Sequence, residues 1–394
     1  MFTLLLAAIL LPGSAADGYG VRAISTSDSR LTWSPYNWHS HKGYKSTITA
    51  GAYVKVGFEG SHLGLKIKAD RMTEAAKKGY KLRAYIDDDK KPVERDLTKI
   101  EAGELVFANA LSIEPHQAKI VVAQSNPVGH WQADDTNRLT VSAVAVESLT
   151  DANARSSKVL VYGDSIVESV EFGAETSFAS VLGETLGAEY GAVGFGGQGW
   201  EQPGVAGRPL KNSWQWHYAG AKRDLSQDTP DAIYNNMGIN DANTGVNPEV
   251  MRRDITDWLE AARAASGSQT KIYMVVPFNF GRAEKYANYL GVYRQGVQGY
   301  LDSNPEDGQV YVIDLGRAGW EAVRDGSWDA LHPHVVGSKK LAKMIHGEVE
   351  RLTVEPQPAV EPEPTEPALS GYEKLVLPWA LPTYLKSAIA WLGL

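Results

Sequence analysis

The sequence predicts an α/β protein of two domains, in which a β-sandwich precedes a parallel sheet covered by helices on both faces. Three observations carry this. At 394 residues the chain exceeds the ~150 residues that one compact domain ordinarily holds. Short segments of alternating polarity, bounded by turn-formers, fill residues 19–149. After Asp151 the rhythm changes to apolar strands separated by long helical stretches, the pattern of strands paired in parallel through helical crossovers.

The elements follow in chain order. Residues 1–16 hold an apolar run from Leu4 to Leu11, then Pro12-Gly13 and the small residues Ser14-Ala15-Ala16, with no Lys or Arg ahead of the run. Small residues there suit a signal-peptidase site, so the expectation is a protein that is secreted, periplasmic or held at the cell surface. No uninterrupted apolar run approaches the ~20 residues that span a bilayer. In the first domain, residues 53–58, 63–67, 82–86, 119–122 and 139–144 read as strands, with turns at Glu59-Gly60-Ser61 and Asp87-Asp88-Asp89. Alternation at that spacing argues for a β-sandwich.

The second domain, 151–353, offers strands at 159–162, 189–193, 232–236, 272–276 and 310–313. Helices are expected at 249–265, introduced by Asn247-Pro248, at 283–301 and at 337–352. Residues 355–368 alternate Pro and Glu and read as an extended linker that cannot pack. The hydrophobic tail, 369–394, carries Trp379, Tyr384 and Trp391 but is interrupted by Pro378 and Pro382. It suits docking on the body or on a membrane surface better than spanning one.

Composition narrows the function. Lys and Arg number 39 against 47 Asp and Glu, a formal charge of −8. With no general basic field, nucleic acid is not expected as a partner. The absence of cysteine removes disulfides, thiol nucleophiles and Cys-ligated zinc together. Trp33, Tyr36, Trp38, His39 and His41 cluster in the first domain and could form a sugar platform, but no third ligand stands at a recognisable spacing, so no metal is assigned.

Chemistry gathers in four blocks. Gly163-Asp164-Ser165 stands where the first parallel strand ends, an edge at which reactive groups collect, and glycine permits the sharp turn that exposes a serine. Gly194-Phe195-Gly196-Gly197-Gln198-Gly199 ends the second strand. It is not the first strand–helix turn and no basic residue follows, so a dinucleotide cradle is rejected. Gly238-Ile239-Asn240-Asp241 ends the third strand, and a neutral Asn amide suits an oxyanion donor. In Asp329-Ala330-Leu331-His332 a carboxylate three residues before a histidine can hold its tautomer and stabilise the imidazolium. His334 is a rival without that spacing. Trp200, Trp214, Trp216, Trp320 and Trp328 flank these loops, and aromatic faces suit sugar rings.

In this order the four blocks resemble the SGNH (GDSL-type) hydrolase superfamily, over about half the chain. The resemblance implies a flavodoxin-like three-layer α/β/α domain with about five parallel strands. It also implies Ser165 as nucleophile, with the Ser165 N–H, Gly197 and Asn240 as oxyanion donors, Asp329 as orienting acid and His332 as base. The second block departs from the family pattern, with Ala192 and Val193 where an Asn often stands. With its N-terminal β-sandwich the chain resembles the family two carbohydrate esterases, which pair a jelly roll with such a domain and deacetylate polysaccharides. The expectation is therefore a cofactor-free serine esterase acting on an acetylated glycan, with Trp200, Trp214, Trp216 and Trp328 as candidate substrate contacts. The alternatives are a lipase or thioesterase of the same superfamily and a non-catalytic glycan-binding protein.

Overall fold

The computed structural model describes residues 20–354 apart from 71, 88, 126–135, 170, 279–282 and 317. The leader, linker and tail expected from the sequence lie outside the described residues. Ten strands of the first domain form one antiparallel sheet, whose main path runs His39–His41, Tyr44–Thr47, Leu139–Thr150, Tyr53–Ile67, Pro115–Gln124, Lys81–Ile86 and Val93–Asp96. The sheet curls until Val93–Asp96 meets Glu104–Ala108, where Arg95 Nε donates to the Val106 carbonyl at 3.1 Å. Inside the curl lie alternate residues such as Val54, Val56, Phe58, Ile120, Val122 and Val144, as a half-buried pleat requires.

One expected turn is absent. Instead of reversing at Glu59-Gly60-Ser61, the chain continues as the single fifteen-residue strand Tyr53–Ile67. Gly60, at φ 114°, bends the strand in a backbone region open to glycine, opposite a register shift between Val146 and Ser148. The Glu147 carboxylate fills the gap, accepting from the Ser61 N–H at 3.0 Å and the Ser61 hydroxyl at 2.9 Å. A bulge, rather than a turn, is what the glycine marks.

In the second domain five parallel strands run, in spatial order, Glu189–Gly194, Lys158–Gly163, Ala232–Asn235, Lys271–Val275 and Val310–Ile313. Numbered along the chain this order is 2-1-3-4-5, that of flavodoxin-like sheets. Alternation sorts the side chains: Leu160 and Tyr162 join a core with Trp258 and Tyr293 on one face, while Val159 and Val161 join Leu182 and Leu341 on the other. Helices Pro248–Ser266 and Ala283–Ser303 cover the first face, and Phe178–Thr185 and Val335–Val354 cover the second. Asn247 caps the first of these through the Glu249 N–H at 2.8 Å, Pro248 follows at the first helical position and Gly267 ends it. Cap, proline and terminal glycine are the residues whose backbone preferences set such boundaries.

Glu189–Gly194 is an edge strand, and the first domain closes it. Tyr36 and Ile48 enter the core on one side of the sheet, while Tyr53 and Val121 enter on the other. Asn37 Nδ2 donates to the Ala192 carbonyl at 2.9 Å and Arg223 Nε to the Tyr36 carbonyl at 2.7 Å. At the start of the strand the buried Glu189 carboxylate takes the Tyr53 hydroxyl, Lys55 Nζ at 2.6 Å and the Arg155 N–H at 2.9 Å. The two domains thus share cores within one compact unit. Glu189→Ala strands the half-buried Lys55 ammonium and the Tyr53 hydroxyl. Loss of a buried charge partner costs roughly 3–5 kcal/mol, so urea unfolding should move to lower midpoint, with both domains unfolding in the same transition.

Candidate active site

The carboxyl ends of three parallel strands meet at one place. Asp164 follows Lys158–Gly163, and its Oδ1 accepts from the Ile166 N–H at 3.0 Å, starting the short helix Ser165–Glu168. The turn nests against the end of the second strand, where a Cβ on Gly194 would lie 2.6 Å from the Asp164 carbonyl and 2.8 Å from Val167 Cβ. Only glycine admits that approach. Ser165 is left 8% exposed, with its Oγ 2.8 Å from His332 Nε2.

His332 comes from the loop after the fifth strand. Its Nδ1 stands 2.7 Å from Asp329 Oδ2, while Asp329 Oδ1 accepts the His332 N–H at 2.6 Å and the Leu331 N–H at 3.0 Å. Ala330 sits at φ 65°, a left-handed position unfavourable to alanine that closes the three-residue ring. Burial alone would favour neutral imidazole, but the hydrogen bond and charge of Asp329 override it and raise the His332 pKa above its usual 6.5. Burial likewise opposes the Asp329 charge, and its bonds to His332 overcome this, lowering its pKa. The arrangement can take a proton from Ser165 and hold the resulting imidazolium. His334 has a different task, its Nδ1 accepting from the Val336 N–H at 3.1 Å at the start of helix Val335–Val354.

The glycine loop is braced by carboxylates. Asp241, fully buried, accepts the Trp200 N–H at 2.7 Å, the Glu201 N–H at 2.9 Å and the Gln202 N–H at 3.3 Å. Glu168, 3% exposed, accepts the Gly196 N–H at 2.7 Å. Among the described residues the Ser165 and Gly197 N–H groups find no acceptor, so both are free to meet an anion. Asn240 Nδ2 donates to the Gln198 carbonyl at 2.9 Å and reaches Asp164 Oδ2 at 3.3 Å. Burial raises Asp164 to about 7 and also raises Asp241. Sequence reasoning assigned no role to Asp241 or Glu168, because each stands among other polar residues of its strand-to-helix turn and nothing in the sequence sets it apart.

The aromatic expectations divide. Trp200 and Trp214 are 0% and 5% exposed and pack edge-on against Trp258 in the core; Trp320 is buried as well. They cannot touch a substrate, because these loops turn their large apolar side chains under the sheet edge rather than over it. Trp216 is half-buried in the hairpin formed with Ala221–Lys222. Trp328 is 48% exposed and stacks beside His332, ring centroids 6.0 Å apart and planes at 24°. In the first domain, His39 Nδ1 and His41 Nε2 each lie 2.9 Å from the Tyr218 hydroxyl, with the Arg138 guanidinium over the Tyr218 ring. This cluster joins the two domains.

Residues 161–340 match the GDSL-like Lipase/Acylhydrolase family. No curated protein matches the chain by sequence. In fold the chain is similar to a family two carbohydrate esterase from Cellvibrio japonicus, at 14% identity and TM-score 0.68, covering 85% of this chain and 98% of that one. It is similar also to a family two carbohydrate esterase from Clostridium thermocellum in complex with cellohexaose (15%, 0.63, 82% and 99%). An acetyl xylan esterase, Est2A, from Butyrivibrio proteoclasticus is a third (16%, 0.63, 84% and 98%). The expected fold class, a flavodoxin-like α/β/α domain with about five parallel strands preceded by a jelly-roll-like β-sandwich, is that of these neighbours. Among the described residues no helix is long and apolar enough to cross a membrane.

The geometry fixes the sign of a titration. Because Asp329 stabilises the charged imidazole, NMR titration of His332 should give a midpoint above 6.5. In Asp329→Asn the hydrogen bond and charge that most oppose burial are gone, with only the more distant charges of Glu171 and Asp164 still acting upward, and the midpoint should fall.

Proposed function

Taking residues 161–340 as a hydrolase of the GDSL/SGNH esterase type, we propose that the protein removes O-acetyl groups from a polysaccharide or oligosaccharide outside the cytoplasm, through an acyl-enzyme on Ser165 and without a cofactor. The chain Ser165 Oγ–His332 Nε2 at 2.8 Å and His332 Nδ1–Asp329 Oδ2 at 2.7 Å is the observation that supports it most. As Oγ attacks the ester carbonyl, His332 takes its proton and Asp329 steadies the imidazolium. The oxyanion is met by the N–H groups of Ser165 and Gly197. Asn240 Nδ2 joins them by giving up its longer contact, 3.3 Å to Asp164, for the developing charge. His332 then returns the proton to the departing sugar oxygen. Water, activated by the same imidazole, releases acetate.

Trp328 supports a sugar as the alcohol side. It offers an exposed indole face beside His332, an apolar surface that suits the C–H face of a pyranose. The fold neighbours named as carbohydrate esterases favour the same reading. Trp216, half-buried, is a secondary contact.

Ser165→Ala should abolish labelling by a fluorophosphonate and lower turnover by several orders of magnitude without loss of fold, since the hydroxyl contributes no core. Asn240→Ala should lower kcat by roughly 10²–10³ with little change in KM, because the oxyanion exists only along the reaction path. Substrate class is tested by kcat/KM for p-nitrophenyl acetate, butyrate and octanoate, together with acetate release from acetylated xylan and mannan. A fall with chain length and release of acetate are expected. A rise of ~0.8 kcal/mol per buried methylene with no acetate release would favour a lipase or thioesterase. A wild-type protein that the fluorophosphonate does not label would favour a non-catalytic glycan-binding protein.

A further inference from the structure

The two peptide planes flanking Gly196 decide where the Gly197 N–H points. In the first, the Phe195 carbonyl accepts the Gln198 N–H at 3.1 Å and the Gly196 N–H donates to Glu168 Oε2 at 2.7 Å. In the second, the Gly196 carbonyl accepts the Val205 N–H at 2.8 Å. A trans peptide directs its N–H opposite to its carbonyl, so pinning the Gly196 carbonyl turns the Gly197 N–H the other way. Three of the four polar groups are engaged, and the fourth is the one left free. The clamp on the first plane is a side chain carried by the nucleophile's own helix, Ser165–Glu168.

We propose that Glu168 is a positioning residue for the reaction: a buried carboxyl that locks the Gly196–Gly197 segment to the helix bearing Ser165, so that the Gly197 and Ser165 N–H groups keep one fixed spacing around the acyl oxygen. This rests on the reading of Ser165 as an acyl-transfer nucleophile and goes beyond it, because Glu168 touches neither substrate nor the triad. The protonation state belongs to the same device. Glu168 is 3% exposed and its Oε1 has no partner among the described residues. Burial is the largest influence on it, the bond from Gly196 opposes it, and the charged groups facing it, Glu171 and Asp164, are both acidic; together they hold its pKa up at about 8. At neutral pH the carboxyl is therefore mostly the uncharged acid, its Oε2 still accepting from Gly196. Above that range it becomes an anion behind the very groups that must attract an oxyanion, and the loop works against its own charge.

The test compares Glu168→Gln with Glu168→Ala over pH 6 to 10, reading kcat and KM on p-nitrophenyl acetate, fluorophosphonate labelling and thermal melting. Gln reproduces the neutral acid in shape and still accepts from Gly196. It should restore neutral-pH turnover to within about threefold of wild type and remove the loss of kcat that wild type shows above pH ~8, since the charge it lacks is the cause. Ala should lower kcat by roughly 10–100-fold at neutral pH with KM little changed, as expected when donors to the transition state alone are misplaced. Stability gives an independent reading. A carboxyl whose folded pKa exceeds its unfolded value costs stability as pH rises between the two, so the melting temperature of Glu168→Gln relative to wild type should be greater at pH 9 than at pH 5. Should Glu168→Ala fail to fold, the pH profile of Glu168→Gln decides alone. An alkaline limb identical in wild type and Glu168→Gln, or an Ala variant with wild-type kcat, would overturn the proposal while leaving Ser165 labelled and the esterase reading intact. A wild type that is neither labelled nor active would overturn both.

Discussion

Lys158–Gly163 hydrogen-bonds to the second strand on one side and to the third on the other, and the rest of the molecule is arranged around that double pairing. From its end the chain passes to the face covered by Phe178–Thr185, whereas from the third strand it passes to the face covered by Pro248–Ser266. Connections that part in this way open a crevice at the carboxyl edge of a parallel sheet. Ser165 lies in it, with Gly197 delivered from one neighbouring strand and Asn240 from the other. The first domain supplies none of these groups. What it does is hold the outer strand, the one carrying the glycine loop, through Tyr53 and Lys55 on Glu189 and through Asn37 on the Ala192 carbonyl.

Much of this was legible because the information is local. The five parallel strands are short apolar runs between helical periods, and the expected positions at 159–162, 189–193, 232–236, 272–276 and 310–313 fall on strands Lys158–Gly163, Glu189–Gly194, Ala232–Asn235, Lys271–Val275 and Val310–Ile313. The pairing of Asp329 with His332 was readable from their separation alone, since three residues can close a ring. Other features were not local. Trp200 and Trp214 flank site loops in sequence, yet a loop has two sides, and only the packing against Trp258 says which side each indole takes. Gly60 gives the same signal whether a strand reverses or kinks; the Glu147 carboxylate that makes the kink satisfactory lies far along the chain. For Glu168 and Asp241 the informative fact is which backbone N–H groups each one meets, and no spacing in the sequence encodes that.

The crevice is unusual in its acids. Asp164, Glu168 and Asp241 are all buried, and burial raises the pKa of each. Their hydrogen-bond partners are mainly backbone N–H groups rather than cations. A backbone donor satisfies a carboxyl oxygen without bringing the full counter-charge that would keep it ionised. The site can therefore be tied together by carboxyl groups and still present little negative charge to an incoming ester. Arginines in the same positions would brace the loops too, but they would leave a net positive field that selects anionic substrates.

The acid and base of the dyad sit three residues apart on one loop, whereas the serine they serve lies 167 residues earlier. Contacts of such different range form at different stages of folding, because closing a long loop costs entropy that a short one does not. The Asp329–His332 ring needs only its own turn with Ala330 in the left-handed region. The Ser165–His332 bond needs the first and fifth strands in register within one sheet, with every intervening crossover already laid down. Completion of this bond is thus a reporter of topological closure: the acid–base ring can close on its own turn, but it meets its serine only when the fifth strand, which completes the cores on both faces through Val310 and Ile313, docks at the sheet edge.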